Sequence, residues 1–396
     1  MPIAAKIHSA LSSASMIRKM FEEGNLLKAQ YGADKVFDFS LGNPDLDPPP
    51  AFRQVLLKLA QDEAKGVHGY MSNAGFLEVR EALAKKVSRE HQVAIDGSHL
   101  VMAVGAAGGL NSVLKTICNA GDEVIVSRPY FMEYRYYADN HGAQLVEVDS
   151  LDDFNLDIGA IGAALSPKTA AVLINSPHNP TGKIYPASAI SALAGLLLEH
   201  GKKTGRLPYL VCDEPYRELA YDGIEVPPIL SAYSEAIVVY SYSKSLSLPG
   251  ERIGFIAVGP DINDKKNLLD AFTYATRILG YVNAPAFMQR IVGELISGYG
   301  EVKVDLEVYK GRRDAFCKIL DEAGIMYNKP EGAFYLFCQA PKGDDLAWVE
   351  HLKKYLILAV PGSGFGMPGY FRLAYCVDEK IIQSSRDSFL QAVKSF

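Results

Sequence analysis

The sequence of 396 residues predicts an α/β fold: a mainly parallel seven-stranded sheet in a three-layer αβα large domain, with a smaller α+β domain. Two patterns lead there. Seven short runs rich in Val, Ile and Ala lack strict polar alternation, as expected of strands covered on both faces. Stretches of helical period lie between several of them, which favours α/β crossovers. With 48% hydrophobic residues the chain can bury a large core, and its length suits one large and one smaller unit.

Residues 1–49 read as an N-terminal arm that starts with the amphipathic MPIAAKIHSALSSASMIRKMFEEG and joins the smaller domain. Residues 50–290 make the large domain. Its expected strands are LVMAV (100–104), EVIVS (123–127), AQLVEV (143–148), AAVLIN (170–175), PYLVCD (208–213), AIVVYS (236–241) and GFIAVG (254–259). Helix candidates such as GGLNSVLKTICNA and ASAISALAGLLLEHGKK lie between them. Residues 291–396 make the smaller domain, with a long helical segment (MQRIVGELISGYGEVKVDLEVYKGRRDAFCKILDEAG) leading to FYLF, ILAVPG, FRLAY and a final helix. Trp348 falls in an acidic helix start and is expected to be exposed, without a function.

Charge and composition exclude several classes. The formal charge is −6 with no long basic run, so the electrostatic footprint of nucleic-acid binding is missing. No uninterrupted apolar run reaches the roughly 18 residues of a membrane span. Five scattered cysteines without a CxxC pair suit a reducing cytoplasm, with thiols rather than disulfides. The eight histidines show no ligand spacing, so no metal site is expected.

Ligands of parallel sheets bind outside the carboxyl ends of the strands, so the residues there carry the functional reading. After LVMAV comes GAAGGL, whose exposed amides at a helix start suit a phosphate, although a Gly/Ala turn packing a helix tightly on the sheet explains it equally. AAVLIN ends in SPHNPTG, a stiff turn that presents Asn179; His178 beside it reads as a turn residue. PYLVCD ends in Asp213, either a helix cap or a carboxylate awaiting a cation, with Tyr216 three residues on. AIVVYS runs into SYSKSLSLPGERIGF, which holds Ser241, Ser243, Lys244 and Arg252. A lysine amine there can form a Schiff base with a carbonyl, whereas a lone loop lysine is commonly a protonated surface cation.

In order, LGNPD, GYMSNAGFLEVREALA, VGAAGGL, NSPHNPTG, DEPYREL, SYSKSLSLPGERIG and FRLAY resemble the class I/II aminotransferases, the aspartate aminotransferase superfamily of fold type I pyridoxal-phosphate enzymes. SxSK followed by GxRxG, downstream of NPTG and DEPY, is highly specific. The resemblance implies pyridoxal 5'-phosphate as cofactor, with Lys244 holding it as a Schiff base and then moving the proton between the substrate Cα and the cofactor. Asp213 would keep the pyridine nitrogen protonated. Tyr216 and Asn179 would donate to the phenolate oxygen.

The same resemblance puts the cofactor phosphate against the Gly105–Ala107 turn, meaning Gly105 and the amides of Ala106 and Ala107, together with Ser241, Ser243 and Arg252. Phe131 would lie over the ring face, with Tyr134 a second candidate. Arg372 would grip the substrate α-carboxylate, with Gly42 and Asn179 lining that pocket. Tyr70 would reach the cofactor phosphate of the neighbouring subunit in a homodimer. Amino acids and 2-oxo acids are the implied substrates, with aspartate or a broad donor range favoured. A β-eliminating C–S lyase or decarboxylase of similar fold is the alternative, and a non-enzymatic ligand-binding module a remote one. For a distal carboxylate Arg18 and Arg277 are possible cations, while Phe131, Tyr134, Phe334, Tyr335 and Phe365 permit an aromatic donor. PGSGFG (361–366) reads as a loop bordering the pocket.

Overall fold

The seven-stranded sheet has the spatial order β1-β7-β6-β5-β4-β2-β3, formed by β1 (Leu100–Ala103), β2 (Glu123–Arg128), β3 (Gln144–Asp149), β4 (Thr169–Asn175), β5 (Tyr209–Asp213), β6 (Ala236–Ser241) and β7 (Gly254–Val258). The computed structural model describes residues 3–12, 16–63, 66–300 and 302–396. Strands β2 to β6 pair in parallel, while β7 runs antiparallel to both its neighbours, β6 and β1. The exception has a local cause. Residues 242–253 hold only a four-residue helix (Tyr242–Ser245) and one 3-10 turn, so no crossover helix carries the chain back for a parallel return. Gly254 then sits against the backbone of β6, where a Cβ would come within 2.2 Å of the Tyr240 carbonyl oxygen.

Side chains of each strand alternate between two apolar layers. One holds Ile125, Val172, Ile174, Leu210, Cys212 and Val238 under helices Leu77–His91, Ala187–Thr204 and Ala286–Tyr299. The other holds Val124, Val126, Ala171, Leu173, Val211, Ile237 and Val239 under helices Gly105–Ile117 and Lys265–Ile278. Every residue of β4, β6 and β7 is buried, which explains why these runs read as continuous apolar stretches. Burial of each Val, Leu or Ile contributes about 1.5–3 kcal/mol. Gly109 lets helix Gly105–Ile117 press onto the sheet, since a Cβ there would stand 2.7 Å from Cγ1 of Val239.

A third apolar cluster surrounds a three-stranded antiparallel sheet of Val360–Pro361, Tyr370–Ala374 and Tyr335–Gln339. Phe39 and Met20 of the arm are buried in this cluster. Phe37–Asp38 pairs in parallel with Ile357–Leu358, which ties the arm to the C-terminal part of the chain.

Two expectations are corrected. The long helical segment after residue 290 is two helices, Ala286–Tyr299 and Leu306–Ala323, broken at Gly300 with φ +70°. A left-handed backbone there ends the first helix at a residue that tolerates it. Trp348 is not exposed: it is fully buried and packs edge-on against Phe371 and Phe396. The acidic pair before it misled the reading because both carboxylates are matched to backbone amides and Asp345 is itself buried. Asp344 caps helix Asp345–Lys353 by accepting from the Ala347 amide, and the buried Asp345 accepts from the amides of Ser363 and Gly369. That helix is thereby pinned to the PGSGFG loop, with Trp348 beneath it.

Candidate active site

The carboxyl ends of β4, β5 and β6 meet the three-stranded sheet across a cavity of about 540 Å³. Its wall includes Gly42, Ala106, Ala107, Phe131, Tyr134, Asn179, Asp213, Tyr216, Ser243, Lys244, Arg252, Tyr335 and Arg372, all singled out from sequence.

Lys244 lies in the short helix that β6 delivers, and its Nζ donates to the carbonyl of Gly42 at 2.7 Å. Burial, with smaller contributions from Arg372 and Arg252, pulls its amine down to about 8. An amine near that value supplies a useful neutral fraction at neutral pH and can act as nucleophile or proton carrier. Phe334 lies 5.5 Å below the Nζ.

Asp213 ends β5 and is 6% exposed. Its Oδ2 accepts from the Tyr134 hydroxyl at 2.7 Å, while its buried Oδ1 has no hydrogen-bond partner. Burial pushes the carboxyl up to about 7, against the Tyr134 hydrogen bond. A buried acceptor left unmatched on a cavity wall calls for a donor from a bound group. Asn175, the last residue of β4, fixes the neighbours: its Nδ2 donates to the Asp213 carbonyl at 2.7 Å, and its Oδ1 accepts from the Asn179 amide at 2.7 Å.

Arg372 is 2% exposed and has no carboxylate partner among the described residues. Its Nη1 donates to Asn179 Oδ1 at 3.1 Å and its Nη2 to the Ser40 carbonyl at 2.6 Å, while Nε is unpaired. The guanidinium lies 4.6 Å from the Tyr335 ring centre and 4.8 Å from that of Phe365. A guanidinium buried and stacked in this way can take a carboxylate.

At the other end of the cavity, helix Gly105–Ile117 starts after Val104 without a side-chain cap, so its first amides stay available. Gly105, at φ +64°, stands just outside the wall; a Cβ there would fall 2.7 Å from Arg252 Nη2, so the guanidinium passes directly over the helix start. Arg252, Ser243, Ala106 and Ala107 line this end of the wall, a set of donors that can take an anion. Ser241 lies one layer back, its hydroxyl 2.7 Å from that of Ser243, and caps the lysine helix.

The class I and II aminotransferase family model matches residues 34–387. The chain belongs to this family. The aminotransferase is similar to the aspartate/prephenate aminotransferase of Thermus thermophilus, 31% identical over 359 residues that cover 89% of each chain. Among solved structures it is similar to an aminotransferase from Eubacterium rectale, with 37% identity, a TM-score of 0.95 and coverage of 100% of this chain and 99% of that one. It is also similar to the aspartate aminotransferase from Thermus thermophilus with maleate, at 27% identity, TM-score 0.88 and coverage of 99% and 100%. The family works with pyridoxal phosphate.

Several residues of the aminotransferase stand apart from the sequence reading. Tyr70 is 93% exposed and does not line the cavity of its own chain. Arg277 is exposed at the end of helix Lys265–Ile278, and the side chain of Arg18 lies outside the described residues. His178 is buried, its Nδ1 2.8 Å from Thr181 Oγ1, and burial lowers it to about 3, so it stays neutral. Tyr134, expected as a stacking ring, instead supplies the hydroxyl on Asp213. Tyr335, weighed only as an aromatic, places its hydroxyl 2.8 Å from that of Tyr216. Glu133 and Tyr137 of the cavity wall were missed, although PYFMEYRYY placed both within six residues of Phe131.

Proposed function

We propose that this aminotransferase holds pyridoxal 5'-phosphate in the cavity and moves an amino group from an L-amino acid to a 2-oxo acid, with aspartate among a broad range of donors. One observation carries the reading: a single cavity joins an amine lowered to about 8 to a buried carboxylate oxygen that lacks a donor. The residues fit the cofactor. Lys244 would be its covalent tether, Asp213 Oδ1 would meet the ring nitrogen, Phe131 would cover the ring, and Tyr216 with Asn179 would face its phenolate oxygen. Arg252, Ser243 and the amides of Ala106 and Ala107 would take the phosphate, with Gly105 giving room for the guanidinium and Ser241 holding Ser243 in place. Bound there, the cofactor supplies an electrophilic carbonyl and a ring that withdraws electrons from the substrate Cα.

The protein's own groups do the rest. Arg372 clamps the α-carboxylate and, with Gly42 and Asn179 beside it, sets which Cα bond faces Lys244. The Lys244 amine takes the proton from that Cα, and its lowered proton affinity lets it release the proton again at neutral pH. Tyr216, buttressed by the Tyr335 hydroxyl, directs its own hydroxyl into the cavity.

The assembly we propose is a homodimer, supported by the exposure of Tyr70, whose ring would reach the phosphate site of the partner. We assign residues 50–290 to the cofactor-binding domain, extended to Gly300 where the helix ends, and the arm with the C-terminal part to the smaller domain. Five unpaired cysteines support a cytoplasmic setting, and among the described residues no helix is long and apolar enough to cross a membrane.

The test is Lys244→Ala. Borohydride should fix the cofactor to the wild type at Lys244, seen by peptide mass, and should not fix it to the variant; transamination across a donor panel should be lost. Attachment at another residue, or persistent turnover in the variant, overturns the assignment.

A further inference from the structure

Lys244 sits in a helix of a single turn, Tyr242–Ser245, too short to hold its shape unaided. A chain of hydrogen bonds behind the cavity wall reaches it. The hydroxyl of Ser245, the next residue, lies 2.7 Å from that of Tyr240, which donates to Glu218 Oε1 at 2.6 Å. A hydroxyl has one proton, so Ser245 is the donor to Tyr240. The same Oε1 accepts from Lys86 Nζ at 2.7 Å. Tyr240 and Ser245 are 1% and 2% exposed, and none of the four lines the cavity. Burial would raise the Glu218 carboxyl, but Lys86 outweighs it and holds the group below its usual range. The chain therefore ends on an ionised acceptor, which strengthens the bond from Tyr240.

We infer that Tyr240 is a positioning residue for the reaction: through Ser245 it ties the Lys244 helix to the Glu218–Lys86 pair and so aims the amine at the substrate Cα. This rests on the proposed function, which makes Lys244 the proton carrier. The Tyr240 ring is wedged in place, stacked on Phe255 at 4.9 Å and 19° and meeting Tyr242 edge-on at 5.0 Å. Glu218 follows Asp213 and Tyr216 in one short segment, so the anchor refers the amine to the same piece of chain that carries those two groups. The Ser245 carbonyl is held as well, accepting from the Val304 amide at 2.9 Å. Proton transfer depends steeply on such aim, since a misplacement of about 1 Å can cost roughly 100-fold in rate. Binding through Arg372 and Arg252 does not depend on it.

Single-turnover reaction of the holoenzyme with an amino acid, unlabelled and deuterated at Cα, tests it. Tyr240→Phe keeps the ring and deletes the bridge. The Cα proton step should slow by roughly 10- to 100-fold, with substrate affinity within about twofold and a deuterium effect at least as large as that of the wild type. Ser245→Ala should slow the same step, and the double variant should be no slower than Tyr240→Phe alone, because both act through one bond. Tyr242→Phe is the control: its hydroxyl is buried in the same helix without a partner among the described residues, so its loss should leave the step unchanged. If Tyr240→Phe fails to fold, Ser245→Ala decides alone. A wild-type proton step in folded Ser245→Ala, a loss confined to substrate affinity, or an equal loss in Tyr242→Phe overturns the inference while leaving transamination intact. A wild type that transaminates no donor would instead defeat the underlying function.

Discussion

Replacing Tyr134 by Phe removes one hydroxyl and leaves the ring in place. The lost contact is the 2.7 Å hydrogen bond to Asp213 Oδ2, after which the buried carboxylate has no side-chain donor. A hydrogen bond to a charged acceptor is worth about 1.5–3 kcal/mol, and one pKa unit corresponds to about 1.4 kcal/mol. Asp213, already near 7 in the cofactor-free fold, should therefore rise by a further one to two units, as about 1.4 kcal/mol each implies.

The sign of the pH dependence follows from which state binds the proton. A carboxyl raised above its unfolded value of about 4 keeps its proton in the folded state, where the unfolded state has released it, so stability falls as pH rises between the two values. The cofactor-free wild type should lose about 4 kcal/mol from this group between pH 4 and its folded value of about 7, then level off. Tyr134→Phe should continue falling to about pH 8 or 9. Urea unfolding of cofactor-free protein across that range measures the slope. Cofactor affinity near pH 6, below both values, should weaken by roughly 10- to 100-fold when read by absorbance titration, because ionised Asp213 is the form that pairs with the protonated ring. If the slope above pH 7 matches the wild type and affinity stays within about twofold, Tyr134 does not tune Asp213.

Two further substitutions probe the cavity. Gly42→Ala would put a Cβ 2.0 Å from the Tyr335 hydroxyl, forcing movement beside the carbonyl that holds Lys244; thermal unfolding should show a loss of about 1–3 kcal/mol and steady-state assays a drop in kcat/KM. Arg372→Lys keeps the charge but loses the two-pronged grip, so KM for amino acids should rise by roughly 10- to 100-fold with cofactor affinity unchanged; an unaltered KM would remove Arg372 from substrate binding.

The large sheet was legible because each buried strand is a short apolar run bounded by turn residues. AIVVYS coincides with β6, and AAVLIN differs from β4 by the single residue Thr169. The direction of β7 was not legible, since a strand's composition carries no record of its polarity; only the short connection hints at it. Pairing of Phe37–Asp38 with Ile357–Leu358 joins segments more than 300 residues apart, and two-residue strands leave no periodic signal. At the site, motif order located the amine, the carboxylate and the guanidinium, whereas the hydroxyl of Tyr134 on Asp213 and the place of Glu133 on the cavity wall depend on side-chain directions set by packing. Trp348 shows the opposite error: charge beside an aromatic suggested solvent, when those carboxylates were already matched to backbone amides.

One short piece of backbone controls more than its composition suggests. The carbonyls of Ser40 and Gly42, two residues apart, receive Arg372 and Lys244 respectively. Residues 40–42 thus act as a gauge block that sets the spacing between the group that grips the substrate and the group that moves its proton. A one-residue insertion at position 41 would break that common reference, separating tight binding from turnover while leaving every charged side chain of the cavity in the sequence.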